Sequence, residues 1–146
     1  MTDGLQRRVP GGHGEQRTTG MRVRREVLGD AHVDRAIAST SDFTADFQDY
    51  ITRLAWGEVW SRPGLDRQTR SAITLAMLAT LGHEDELAMH VKAALRIGLT
   101  PAQIKEILLQ VAVYAGVPAA NTAFRVAQPI VDAASATTSY EEKNDA

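Results

Sequence analysis

The sequence contains no cysteine. That absence removes disulfides, thiolate metal ligands, thiol nucleophiles and CxxC redox chemistry together. It also lacks an excess of either charge. The 16 lysines and arginines stand against 18 aspartates and glutamates, so no net field draws the protein to nucleic acid or to an anionic membrane surface. No run approaches the roughly 20 consecutive apolar residues of a membrane span, and the N-terminus lacks the apolar middle region of a signal peptide. A cytoplasmic protein with no nucleic-acid or membrane partner is expected. Convincing period-two alternation is missing too, which argues against strands. What is present is 146 residues, 44% of them hydrophobic, enough for one domain with a proper core and too few for two ordinary ones.

Residues 1–20 (MTDGLQRRVPGGHGEQRTTG) hold five of the eleven glycines and read as a flexible tail, with His13 inert inside it. Residues 135–146 (SATTSYEEKNDA) are polar and aperiodic and read as a second loose end. The folded domain is then expected over 21–134. Within it the spacing is helical. Phe47, Tyr50, Ile51, Leu54, Ala55 and Val59 form the apolar stripe of one helix, stopped by Pro63-Gly64. Asp66 is placed to cap the next helix, in which Ile73, Ala76, Met77, Thr80 and Leu81 form a stripe that Leu75, Leu78 and Ala79 broaden. After Gly82-His83 a helix should run to Ile97, with Gly98 in the left-handed conformation that ends helices. Thr100-Pro101-Ala102-Gln103 combines an N-cap threonine, a proline at the first helical position and a capping-box glutamine, with Ile104, Ile107, Leu108 and Val111 as the buried face. Gly116 and Pro118 should close that helix. The last helix, from Ala119 to about Ala134, contains Pro129, which should kink or shorten it. The fold class is therefore all-α, a single small domain of about six helices with short connections.

The most chemically loaded stretch is HEDELAMH, His83 to His90. On a helix its two histidines share a face with Glu86 between them. As metal ligands they are badly spaced: seven residues rise about 10.5 Å, whereas zinc takes imidazole nitrogens at about 2.0–2.1 Å. No metal site is expected. Glu86 and His90 are four residues apart, so the carboxylate can orient the imidazole and keep it protonated. The bland alternative is a solvated acidic helix start favoured by the macrodipole, with His90 near a surface.

Four segments in order, GMRVRREVLGDAHVDRAIA, AWGEVWSRPGLDRQTRSAITLAMLATLG, HEDELAMH and EILLQVAVYAGVPAANTAF, resemble the carboxymuconolactone decarboxylase/alkylhydroperoxidase-like superfamily over roughly residues 20–130. The resemblance implies a small all-helical subunit that assembles into a homo-oligomer, a hexamer. It also implies decarboxylation, without a cofactor, of a carboxylated muconolactone in the protocatechuate branch of the β-ketoadipate pathway. Redox members of the superfamily carry a CxxC pair ahead of a histidine. Here those cysteine positions fall on His83 and Glu86, with His90 at the histidine position. A chain without thiols cannot form the sulfenate or disulfide intermediates of that branch, so the decarboxylase branch remains.

The implied substrate is an unsaturated lactone dicarboxylate, a vinylogous β-keto acid. Loss of carbon dioxide leaves an electron pair that delocalises onto the lactone oxygen as a dienolate, which then takes a proton at the carbon next to the carbonyl. The site must hold a dianion, stabilise an oxyanion and deliver one proton. His90, as imidazolium, is the expected oxyanion donor and acid, with Glu86 as its partner. Arginine suits carboxylate binding because its planar fork is bidentate. Among Arg53, Arg62, Arg67 and Arg70 the first choice is Arg70, at the start of the buried helix; the alternative is a surface arginine paired with Asp66. Glu58, between Trp56 and Trp60, is a second carboxylate: a general acid in an apolar wall, or an exposed residue on a helix whose tryptophans pack at a subunit interface. His83, Trp56 and Asn121 are further substrate-contact candidates, Asn121 having a first-turn helix role as its alternative. Tyr114 is assigned to the core. Two other functions stay open, a non-catalytic oligomerisation module on the same scaffold and a sibling enzyme acting on another lactone or β-keto acid.

Overall fold

The computed structural model describes residues 12–144, with side chains through Thr138. Seven α-helices and one π-helical stretch follow one another, and no strand occurs among the described residues. The helices are α1 (His13–Leu28), α2 (Asp30–Ala38), α3 (Ala45–Ile51), α4 (Arg67–Leu81), α5 (Glu84–Arg96), α6 (Pro101–Tyr114) and α7 (Val117–Asn144); the π-helical stretch, Thr52–Val59, continues α3. The all-α expectation holds. Within that helical fold the chain divides into two compact units. The N-terminal unit comprises the residues up to Glu26 and Asp30–Pro63, and the C-terminal unit comprises Val27–Gly29 and the residues from Gly64 onward.

In the C-terminal unit α4, α5, α6 and α7 pack on one another. Their boundaries follow local chemistry. Asp66 accepts from the Thr69 N–H at 2.7 Å, satisfying one of the orphan donors at the start of α4. Gly82, at φ 73°, ends that helix in the left-handed region, and Gly98, at φ 102°, follows α5. Thr100 and Gln103 form the complete capping box of α6. The core joins Leu75 and Ala79 of α4, Leu87, Val91 and Ala94 of α5, and Ile104, Leu108 and Val111 of α6. The small face of α7, Ala120, Ala123 and Ala127, is buried with them and lets its neighbours approach closely. Fully burying a leucine contributes about 1.5–3 kcal/mol, so this aliphatic set is the principal source of the unit's stability.

The buried face of α4 differs from the expected one. Ser71, Leu75 and Ala79 point inward, whereas Ile73, Met77 and Leu81 are 39%, 58% and 67% exposed. A helix apolar on most of its circumference offers two stripes, and periodicity does not say which one meets the core. Tyr114, expected in the core, is likewise exposed. Helix α7 runs through Pro129 to Asn144, so the proline does not shorten it and the expected loose end from 135 is helical as far as Asn144. Along this exposed end Ser135, Thr137 and Thr138 donate to carbonyls four residues earlier.

The N-terminal unit is held differently. Helix α1 starts at His13, so residues 13–20 of the expected tail are helical; residues 1–11 lie outside the described part. Gly20 and Gly57 make the backbone approach of α1 to the π-helical stretch. A Cβ on Gly20 would collide with the Thr52 carbonyl oxygen, and one on Gly57 with that of Gln16. The glycines therefore serve packing, not flexibility. The π-helical geometry shows in the Trp60 N–H, which bonds to the carbonyl of Ala55, five residues back. The expected stripe is not the buried one: Phe47, Tyr50 and Val59 are exposed and Thr52 and Trp56 are buried instead. Arg24, 5% exposed, donates to Thr52 Oγ1 at 3.2 Å and to Gln48 Oε1 at 3.1 Å.

Candidate active site

Helix α5 presents the HEDELAMH stretch with its two histidines in different settings. His83 is the N-cap residue, exposed, and its side chain makes no cap hydrogen bond. Glu84, Asp85 and Glu86 form the first turn, where the positive end of the helix dipole favours them. Glu84 also accepts from Arg125 of α7 at 2.8 Å, tying α5 to α7 at the wet end. His90 is buried, in register with Leu87, Val91 and Ala94, and its Nδ1 is shielded from solvent. Seven residues of helix thus carry the chain from an exposed imidazole to an enclosed one. Glu86 is exposed.

Helix α4 supplies the cation. Arg70 is half-buried in its first turn, with Nε out of solvent, and its carbonyl accepts from Thr74 Oγ1 at 2.9 Å. Asp66, its expected surface partner, is engaged as the cap. The Thr69 N–H bonds hold the Asp66 carboxyl below its ordinary range. Gln68, two residues before Arg70, donates to the Ile97 carbonyl at 3.0 Å, so the start of α4 is fastened to the end of α5. Arg70 and His90 therefore stand on two packed helices of one unit. Between them in the sequence pattern lies Ser71, a residue the sequence reading missed. It is fully buried, and its Oγ has no hydrogen-bond partner. Its signal was available: Ser71 is in register with Leu75 and Ala79 at spacings of four, so a hydroxyl sits on the inward stripe.

The other expected residues fall elsewhere. Asn121 is exposed on α7, and because that helix begins at Val117 it lies beyond the first turn and has no capping role. Glu58 and Trp56 belong to the N-terminal unit, on the π-helical stretch. Trp56 is buried, Glu58 is half-buried, and the Trp56 and Trp60 rings lie 5.0 Å apart at 32°, a tilted aromatic pair. No group of three or more His, Asp or Glu side chains placed to hold a metal occurs among the described residues.

An enclosed imidazole on a four-helix core, with an arginine on the neighbouring helix and no thiol in the chain, defines a class of protein: a small all-helical scaffold without thiol chemistry. The chain belongs to the Carboxymuconolactone decarboxylase family, whose model matches residues 45–129. It is 51% identical over 111 residues to the 4-carboxymuconolactone decarboxylase of Acinetobacter baylyi, covering 76% of this chain and 83% of that one. It is also 40% identical over 113 residues to a nitrosuccinic acid decarboxylase of Metarhizium robertsii, covering 77% and 79%. A third relative, the 4-carboxymuconolactone decarboxylase of Pseudomonas putida, is 59% identical over 39 residues, 27% of this chain and 81% of that sequence.

Proposed function

We propose that the protein decarboxylates 4-carboxymuconolactone to the 3-oxoadipate enol-lactone, as a step of protocatechuate breakdown through β-ketoadipate. The observation that carries the reading is the enclosed His90 imidazole, in a chain half of whose aligned residues are shared with a 4-carboxymuconolactone decarboxylase. In this reading Arg70 holds a substrate carboxylate through its guanidinium. The carbon–carbon bond to the lost carboxylate breaks, its electron pair moves through the double bond to the lactone carbonyl oxygen, and protonated His90 donates to that oxyanion. One preorganised donor of this kind accounts for about 10²–10³ in rate. Proton delivery to the carbon next to the carbonyl completes the reaction, with His90 as the acid. Glu86, His83, Glu58, Trp56 and Asn121 remain candidates for acid, orienting or contact roles. No cofactor enters this scheme, because the conjugated carbonyl is itself the electron sink.

Homo-oligomer assembly, a hexamer in the proposed reading, is supported by a broad apolar surface in the C-terminal unit. Ile73, Met77 and Leu81 of α4, with Val113 and Tyr114 of α6, are all exposed. Monomeric proteins rarely leave such a set uncovered. A cytoplasmic location accords with the chemistry proposed, and no helix among the described residues is long and apolar enough to cross a membrane.

The test is to add freshly generated 4-carboxymuconolactone to the purified protein, with and without EDTA, and follow enol-lactone formation and carbon dioxide release. Rapid turnover indifferent to chelator is expected. The relative named for nitrosuccinic acid favours a second reading, a decarboxylase of another small acid. Turnover of nitrosuccinate with none of the lactone would select it, and a folded oligomer inert toward both would favour a scaffold role.

A further inference from the structure

The N-terminal unit contains a cavity that the proposed reaction does not use. Its volume is about 530 Å³, and Arg17, Met21, Arg24, Ile37, Ala45 and Thr52 are among the residues that line it. Small-molecule pockets run from about 300 to 1,000 Å³. Within its wall Arg24 is 95% buried, at 5% exposure. Its two hydrogen-bond partners, Thr52 and Gln48, are neutral, and its Nε has none. Each terminal nitrogen of a guanidinium carries two N–H groups, so one on each remains after those bonds. A charge taken out of water is normally paired. Here burial lowers the Arg24 pKa, and neither hydrogen-bond partner is an acid.

The other charges near the cavity are already matched or are of the wrong sign for a second anionic group. Arg53 donates to Asp49 at 2.7 Å, and Arg17 lies 3.5 Å from the same carboxylate, which stays ionised below its usual range chiefly because of Arg53. Asp46 also lines the cavity. One uncompensated cation beside two carboxylates suits a single negative charge and disfavours a dianion. Met21, Ile37 and Ala45 offer an apolar wall for the remainder of the ligand.

We propose that this cavity is a binding site for a small organic monocarboxylate with an apolar body, anchored on Arg24. Its carboxylate takes the two remaining terminal N–H groups of the guanidinium, supplying the negative charge that Thr52 and Gln48 do not. The site lies wholly in the N-terminal unit and stands independently of the decarboxylation reading.

The test is calorimetric titration of the full chain with sodium benzoate at constant ionic strength, with benzamide as the neutral isostere and inorganic phosphate as the more highly charged anion. One saturable benzoate site per chain is expected, with no measurable binding of benzamide or phosphate. Arg24→Gln should weaken benzoate at least tenfold. Ala45→Trp, which narrows the cavity and leaves the arginine in place, should do the same while keeping the wild-type helical circular dichroism, so the test survives if the arginine variant fails to fold. Absence of saturable benzoate binding, or binding unchanged in the Ala45→Trp protein, overturns the proposal. Phosphate bound in preference to benzoate overturns its monocarboxylate assignment.

Discussion

The two units of this chain solve the problem of burial in opposite ways. The C-terminal unit hides leucines, valines, isoleucines and alanines from four helices, and its buried polar side chains, Ser71 and His90, stand out against that background. The N-terminal unit brings backbones together at Gly20 and Gly57 and buries Arg24 in a hydrogen-bonded set with Gln48 and Thr52. Apolar packing tolerates small changes of shape by relaxation, whereas a backbone contact and a buried guanidinium have little room to adjust. The first arrangement surrounds one imidazole with aliphatic side chains; the second depends on close backbone approach and a buried guanidinium.

The sharpest contrast is between chemistry and packing inside the C-terminal unit. Replacing His90 by Ala should lower turnover by about 10² or more with the helical spectrum retained. Near-normal turnover would remove the imidazole from the mechanism and leave it as a core residue. Leu108→Ala should cost about 2–5 kcal/mol of stability, read from denaturant unfolding, and change turnover of the folded protein little. In the N-terminal unit Gly20→Ala adds a single methyl group, yet overpacking should cost about 1–3 kcal/mol because the obstructing atom is a backbone carbonyl. If that variant melts with the wild type, the close approach is softer than the comparison between units requires. Loss of the capping box in Thr100→Ala should cost about 1 kcal/mol, measured by the same unfolding experiment.

The smallest effect concerns acid, and it should touch both units alike. Asp49 in one and Asp66 in the other have pKa values held below the ordinary carboxylate range, the first mainly by the Arg53 hydrogen bond and the second by the Thr69 backbone N–H. A depressed folded pKa contributes stability that is fully present above the unfolded value, about 3.9, and is lost as the pH falls through the folded value. Thermal melts should therefore be insensitive to these two groups from pH 5 to 8 and should weaken below about pH 4. A transition centred above pH 5 would have to come from groups other than these two.

Legibility in the sequence followed the same division. The helix ends of the C-terminal unit were readable because they depend on neighbours in the chain: Asp66 reaches Thr69, Thr100 reaches Gln103, and Gly98 needs only its own freedom at positive φ. The face that α4 turns inward was not readable, since Ile73, Met77 and Leu81 have as much apolar area as Leu75 and its partners. Spacing put Glu86 one turn from His90 but did not say that the first would be exposed and the second enclosed. Arg24 and Ser71 were overlooked because a polar side chain in a helical pattern is ordinarily a solvated one.

By itself the sequence determined the all-helical class, the caps that start α4 and α6, the glycine that follows α5, the exclusion of thiol chemistry, and the candidacy of His90. These rest on local hydrogen bonds, on backbone preferences or on which functional groups exist at all. Only the tertiary structure decided that the chain forms two units, that α3 continues as a π-helical stretch, which stripe of α4 is buried, and that Arg24 is enclosed without an acidic partner. Each of those depends on groups far apart in the chain meeting in space, and burial is a property of the neighbours a residue acquires, not of the residue itself.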